Sequence, residues 1–540
     1  MNEQQTSSAA NEEPSQAIVV VGGGSVGTSF LRQLSDQIAA NQYGRSAPRV
    51  ILFEPSSNPG AGDAYQLDTP SNLLNTRVAS MSPIASDPQH FHRWLRDNLS
   101  LWQRKFPGLE PTADSFVPRA LFGIYLSHVF DDAVARLRGQ GVAFQHAPQR
   151  VSSIRRIGRD YQVVTAQGGI VHAAGVVLSI GNLETREWDH LRAHPGYFNT
   201  PYPCTKLATE IDPKHSVCIL GTSLSAIDAA VSLADSGHTG KIMMVSRNGR
   251  LPSVRGEHNL NRKPMLLSRE CMKDLAQLRG VSTMTLMEIA QMLAQELEIS
   301  EGQLPNLDAI LRIGEGPHRY LDSEISEAQV QDRAWQAIVY ALNDSIDLIW
   351  HMLSDTEKRV FQKNFKSQWL SYRVSFPIQN ARKIQQLLHK DQLTVYGGYR
   401  DAYWEEANGS FAVSIADARK GFDATLYADS IINATGYTTN VSQCRSPLLR
   451  GMVATGLLRS SEFGGVDVDF DTGRAVSRAG ALMPGLYVLG SLACGTYFWT
   501  NAMNVNTRLA ADVAEKILGD CHAAQHGMED DEISELQLAA

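Results

Sequence analysis

The apolar run Ala17-Ile18-Val19-Val20-Val21 breaks directly into Gly22-Gly23-Gly24-Ser25-Val26-Gly27, and no other stretch restricts the possible folds as strongly. Such a run suits a strand buried on both faces, and Phe30, Leu31, Leu34 and Ile38 then recur at helical spacing. Within Gly22-x-Gly24-x-x-Gly27 each glycine has its own task. The first makes a tight turn, the second leaves the backbone bare for a pyrophosphate, and the third lets helix and strand touch. Free N–H groups at the helix start add partial positive charge. A second strand, Arg49 to Phe53, ends at Glu54, which puts a carboxylate where a ribose hydroxyl needs an acceptor. The sequence therefore predicts a βαβ unit of an α/β fold, with Gly22, Gly24, Gly27 and Glu54 holding a dinucleotide.

A chain of 540 residues, 43% hydrophobic, has room for two or three domains with substantial cores. Its formal charge of -8 and the lack of a basic stripe interleaved with aromatics argue against nucleic acid as a partner. The six cysteines are scattered without a C-x-x-C pair, so neither a redox dithiol nor a zinc site is expected. No metal motif is visible. Residues 1–16 are polar and acidic, without the basic and apolar regions of a signal peptide, and no apolar stretch is long enough to span a bilayer. The expectation is a cytoplasmic protein with a disordered N-terminus and an acidic tail over 518–540.

A second pattern of the same kind begins at His215, where Val217-Cys218-Ile219-Leu220 meets Gly221-Thr222-Ser223-Leu224-Ser225-Ala226 and a strand returns from Lys241 to Val245. Ser223 and Ala226 replace the second and third glycines, so backbone contact with a cofactor is expected to be looser here. This strand ends at Ser246-Arg247 without a carboxylate. A guanidinium there can hold a 2′-phosphate with two hydrogen bonds, which favours NADP over NAD. The segment Gly221-x-Ser223 also has the look of a nucleophile elbow, but its final glycine is missing and no histidine stands in a triad setting.

From about 255 to 370 the pattern is helical, with Leu286, Ile289, Met292 and Leu293 on one face and Ala334, Ile338, Leu342, Ile346 and Ile349 on another. Tyr372-Arg373 follow at its exit, where a cation could face an interdomain cleft. Arg119 stands near the start of a helix expected to continue through Ala135, and a last helix is expected from Met503 to Ile517. The domain reading is a first segment over 17–205, a second unit over 206–391 containing the insertion, and a return to the first domain over 392–517.

These pieces resemble the two-dinucleotide-binding flavoproteins, and among them the flavin-dependent N-hydroxylating monooxygenases that act on amino acids and amines. The resemblance is carried by the glycine fingerprint with Glu54, the loop from Leu73-Leu74-Asn75 to Met81, Pro118-Arg119, the degenerate fingerprint at Gly221, and Gly490-Ser491. The segment Asp429-x-x-x-Asn433-Ala434-Thr435-Gly436-Tyr437 is similar to the family's D-x-x-x-(L/F)-A-T-G-Y, with Asn433 as a departure, and Val176 to Gly181 is similar to an A-T-G segment with Ser179-Ile180 substituted. The resemblance implies FAD and NADP as cofactors and two Rossmann-like domains with a helical insertion. It implies hydride transfer from NADPH to flavin, addition of O2 to give a C4a-hydroperoxide, and oxygen transfer to a small amine or amino acid. It places Asn75, Met81, Gly436, Gly490 and Ser491 with the flavin half of the site, and Gly221, Ser223 and Arg247 with NADP. No catalytic side chain is legible, and oligomerisation stays open. A flavin oxidoreductase using an acceptor other than O2 and a non-catalytic flavin-binding module are the alternative readings.

Overall fold

The computed structural model of the protein describes residues 17–41, 48–257, 262–303, 306–330, 333–417 and 421–526. The expected N-terminal disorder and the Glu529–Glu532 cluster lie outside these residues. Two largely parallel sheets form the frame. The first has six strands in the order Arg474–Val476, Leu482–Val488, Gly175–Leu178, Ala17–Val21, Arg49–Phe53 and Phe144–Ala147. Ala17–Val21 pairs in parallel with both neighbours and is buried throughout, which is why its sequence is unbroken by polar residues. Helix Ser25–Asn41 lays Phe30, Leu31, Leu34 and Ile38 into the core beneath this sheet.

The second sheet has five parallel strands in the order Leu393–Tyr396, Ile242–Val245, Val217–Leu220, Ser430–Asn433 and Tyr197–Phe198. It repeats the plan of the first. In each unit a central strand runs into a glycine turn and a helix, then an adjacent strand, a long excursion, a third strand, a three-stranded antiparallel meander, and a fourth strand back beside the first. The meanders are 151–173 in the first unit and 399–428 in the second.

This duplication moves two expected boundaries. Leu393–Tyr396 and Ser430–Asn433 complete the second sheet, so the chain re-enters the first sheet only at Arg474–Val476 and Leu482–Val488, well after residue 392. At the other end Tyr197–Phe198 already belongs to the second sheet, inside the expected 17–205 segment. The physical reason is register: a strand that ends the meander has its open parallel partner in its own unit, at Val217–Leu220.

The insertion is helical, from Arg269–Arg279 to Lys366–Arg373, and its two ends meet in a parallel bridge of Ser253–Val254 with Ser375–Phe376. The helix from Arg119 reaches Gly139, past the expected Ala135. The last helix runs over Met503–His526, so residues 518–526 are not tail. Leu518 and Cys521 are buried there, and a side chain on Gly175 would strike Ile517 Cδ1 at 2.8 Å, which shows how closely helix and sheet pack. No helix among the described residues is long and apolar enough to cross a membrane, and no cluster of His, Cys, Asp and Glu could hold a metal ion.

Candidate functional site

Gly22 has φ +104°, donates to the Phe53 carbonyl at 3.0 Å, and would drive a Cβ to 2.3 Å from the Ser179 carbonyl oxygen. A Cβ on Gly27 would lie 2.1 Å from the Gly22 carbonyl oxygen, so strand and helix leave no room there for a side chain. Gly24 differs, since its Cβ would meet only Gly62 Cα, at 3.6 Å. The middle glycine thus faces space bounded by the loop 60–62, which is tied down by Gly60 N–H donating to the Gly23 carbonyl at 2.8 Å. Glu54 accepts from Gly23 N–H at 2.8 Å and from Ser56 N–H at 2.9 Å, which fixes its carboxylate beside the turn. Gly23, absent from the expected set, is needed because a Cβ there would press to 2.9 Å from Glu54 Cγ.

The closing segment reaches the same turn. Gly490, at φ +76°, lies against Val26, and Ser491 donates to Asn182 Oδ1 at 2.9 Å. Asn75 is half-buried in the loop that follows Leu74, whose N–H donates to the Val117 carbonyl at 2.8 Å. Met81 is the residue expected around the flavin ring together with Asn75. Its side chain is buried in a core with Trp94, Phe122 and Met503.

The second unit copies the first at the level of single atoms. Gly221 has φ +125°, donates to the Val245 carbonyl at 2.8 Å, and would place a Cβ 2.5 Å from the Ala434 carbonyl oxygen. Ala434 therefore stands to Gly221 as Ser179 stands to Gly22. Asn433, the departure from the family pattern, is buried and its Oδ1 accepts from Thr435 N–H at 3.1 Å and Thr435 Oγ1 at 2.7 Å. It caps the turn that presents Gly436, which has φ +90° and open space where a Cβ would stand. Ser223 is the N-cap of helix Leu224–Asp235, without a side-chain cap bond. Thr222 Oγ1 bonds Ser246 Oγ at 3.1 Å and donates to the Arg250 carbonyl at 2.7 Å, which holds Arg247 at the mouth of this turn. The Arg247 side chain is exposed and carries no ion pair among the described residues.

Sequence reasoning missed the tie between the two units. Arg119, at the start of its helix, pairs with Asp228 of the second unit at 2.8 Å and donates to the Tyr202 hydroxyl at 3.0 Å. Tyr202 in turn donates to Asp228 at 2.6 Å. Burial works against the charge on Arg119, but Asp228, Tyr202 and Tyr65 together outweigh it and hold the guanidinium's pKa above its ordinary value. Asp228 falls within the buried run Ala226–Leu233, whose other members are apolar apart from Ser232, and a lone acid in such a run is the one signal that could have exposed it. Arg373, which could have faced an interdomain cleft, is buried against Trp499 and Tyr340.

Residues 19–183 match the protein family described as FAD-NAD(P)-binding. No curated protein matches the sequence. Among solved structures the chain is similar to the ornithine hydroxylase of Pseudomonas aeruginosa in its reduced form, at 12% identity and a TM-score of 0.56, over 94% of this chain and 99% of that one. It is similar to the L-lysine 6-monooxygenase of Pseudomonas syringae at 15% identity and a TM-score of 0.55, again over 94% and 99%. At such identities the likeness is one of fold. Residues 19–183 are accordingly similar to the FAD-NAD(P)-binding family, and the chain shares the overall fold of these two enzymes.

Proposed function

We propose that this chain is an FAD-containing, NADPH-dependent oxidoreductase, and specifically a monooxygenase that hydroxylates a small amine or amino acid. The observation that carries the reading is the paired pair of turns. Gly22 with Ser179 and Gly221 with Ala434 have the same geometry, yet one ends at a fixed carboxylate and the other at a free guanidinium. A carboxylate suits ribose hydroxyls, and a guanidinium suits a 2′-phosphate.

The residues present fit an FAD on the first turn. Gly24 leaves the bare backbone a pyrophosphate needs, while Gly22 and Gly27 are closed by their own packing. Glu54 would take the ribose, and Gly490 and Ser491 bring the closing segment to the same turn. Bound FAD would supply the redox chemistry, taking two electrons from NADPH and passing them to O2. This chain's part is to position the cofactors. Arg247, Ser223 and Gly221 would hold the nicotinamide nucleotide, and Arg119 with Asp228 keeps the two turns in one fixed relation. The apolar core containing Trp94, Phe122 and Met81 backs the loop that carries Asn75, since Leu74 and Val78 belong to it. Structural similarity to ornithine hydroxylase and L-lysine 6-monooxygenase supports an amine as the oxygen acceptor.

The deciding experiment is anaerobic reduction of the purified yellow protein by NADPH, followed by rapid mixing with O2. A transient near-ultraviolet absorbance before full reoxidation is expected. Rapid flavin reduction with slow, featureless reoxidation would overturn the monooxygenase assignment, and a flavin that NADPH and NADH both fail to reduce would overturn the enzyme assignment.

A further inference from the structure

Three arginines gather where four separate parts of the chain meet: the loop after Leu74, the entrance and the helices of the insertion, and the segment between Gly490 and the last helix. Arg255 stands over the Tyr340 ring at 3.4 Å from its centroid, and Arg373 lies 4.1 Å from that same ring and 4.6 Å from the Trp499 ring. Arg77 donates to the carbonyls of Gly256 at 2.6 Å and Glu257 at 2.9 Å, which clamps the passage carrying Arg255 against the first unit.

Their charges are not balanced from within. Arg77 has Asp114 at 3.8 Å. Arg255 and Arg373 have no carboxylate partner among the described residues. Arg373 is 3% exposed and donates to the neutral amide of Asn343, which reaches Asn504 at 3.1 Å. Nη1 of Arg255 and Nε of Arg373 are buried without a hydrogen-bond partner. Burial, with Arg255 nearby, pushes the Arg373 guanidinium down to about 10. Burial alone would raise the Tyr340 phenol, but the two arginines overcome it and bring its pKa below the ordinary value, while Ser375 Oγ lies 2.6 Å from its oxygen. A buried cation beside a half-buried one, both without a carboxylate, is costly, and ring stacking leaves the N–H edges of a guanidinium free for a planar acid.

We infer that Arg255 and Arg373 form the acid-recognition subsite of this protein and that its substrate is an amine bearing two carboxylates. The inference rests on the oxidoreductase reading above and narrows its substrate. A diamino acid would bring a second cation toward two arginines, whereas a dicarboxylate neutralises both with bidentate hydrogen bonds. The same positive field favours the unprotonated, nucleophilic form of the substrate amine.

Calorimetric titration of the FAD-loaded protein with L-aspartate, succinate, inorganic phosphate and putrescine tests it. Aspartate and succinate should bind, putrescine should not, and Arg255→Met should weaken both acids roughly ten- to a hundredfold. Arg255→Lys keeps a charge without the fork and should fall between them. Flavin content of each variant reports folding independently, so a collapsed protein is not mistaken for a lost subsite. Binding of phosphate but not succinate, acid binding unchanged in Arg255→Met, or displacement of succinate by saturating NADP+ would overturn the assignment. So would the absence of acid binding to a protein that holds FAD and is reduced by NADPH. A protein that fails to be reduced fails the oxidoreductase reading instead.

Discussion

Replacing Arg119 by Met should separate what the inter-unit ion pair contributes from what it merely avoids. The Asp228 side chain is 4% exposed and that of Arg119 is 18% exposed, so the substitution leaves a carboxylate buried with only the Tyr202 hydroxyl for company. Removing one member of a buried pair costs about 3–5 kcal/mol, and the residual exposure of Arg119 favours the lower end. At about 2–4 °C per kcal/mol for a domain of this size, melting should fall by roughly 6–12 °C. The double variant Arg119→Met, Asp228→Leu removes the stranded charge as well. Tyr202 keeps Ser225 Oγ at 3.3 Å, so its hydroxyl is not orphaned. The double variant should recover most of the loss and melt within about 2–4 °C of the parent, which corresponds to about 1 kcal/mol. Differential scanning calorimetry of the flavin-loaded proteins measures both. A double variant no more stable than Arg119→Met would mean that the guanidinium acts through packing over the Tyr202 ring, 5.6 Å away, and not through charge.

Gly24→Val should leave the fold intact and the protein colourless, because a Cβ at this position meets only Gly62 inside the chain and the side chain would enter the space assigned to the pyrophosphate; retained flavin after purification would show the turn misread. Arg247→Ala should raise the KM for NADPH by roughly ten- to a hundredfold and leave NADH almost unchanged, a split that stopped-flow reduction resolves and that equal losses would refute. Asp429 accepts from Ser216 N–H and Oγ, both at 2.7 Å, and these bonds outweigh partial burial to hold its carboxyl below the usual range. A depressed folded pKa stabilises above the unfolded value, about 3.9, and the benefit fades as pH falls toward the folded one. The melting gap between the parent and Asp429→Asn should therefore be constant above about pH 5 and shrink in more acid solution; a gap that widens on acidification would reverse the sign of the argument.

The sequence exposes what local chemistry dictates. Glycines whose Cβ would strike a carbonyl, such as Gly22, Gly27 and Gly221, are legible because no other residue fits. The strands beside them are legible because burial on both faces forbids polar breaks. The allegiance of Leu393–Tyr396 and Ser430–Asn433 was not, since a parallel strand carries no mark of its partner and pairing is settled by the whole sheet. Comparing the order of elements in the two halves would have located them, each strand following its counterpart in the other unit. Asn433 looked like a weakness of the pattern and proves to be a cap, visible only once Thr435 folds back on it. The tie from Arg119 to Asp228 spans two units and leaves no trace at short range.

The two-residue bridge of Ser253–Val254 with Ser375–Phe376 has an evolutionary consequence. It brings the doorway and the way out of a long helical stretch to neighbouring points on one parent domain. A cassette fastened in this manner can be lengthened, shortened or exchanged without altering the spacing of the strands that flank it. Selectivity for what is oxidised can then drift within the cassette while the machinery that moves electrons stays fixed. Grafting the cassette of a relative between Val254 and Ser375 is the corresponding route to new specificities.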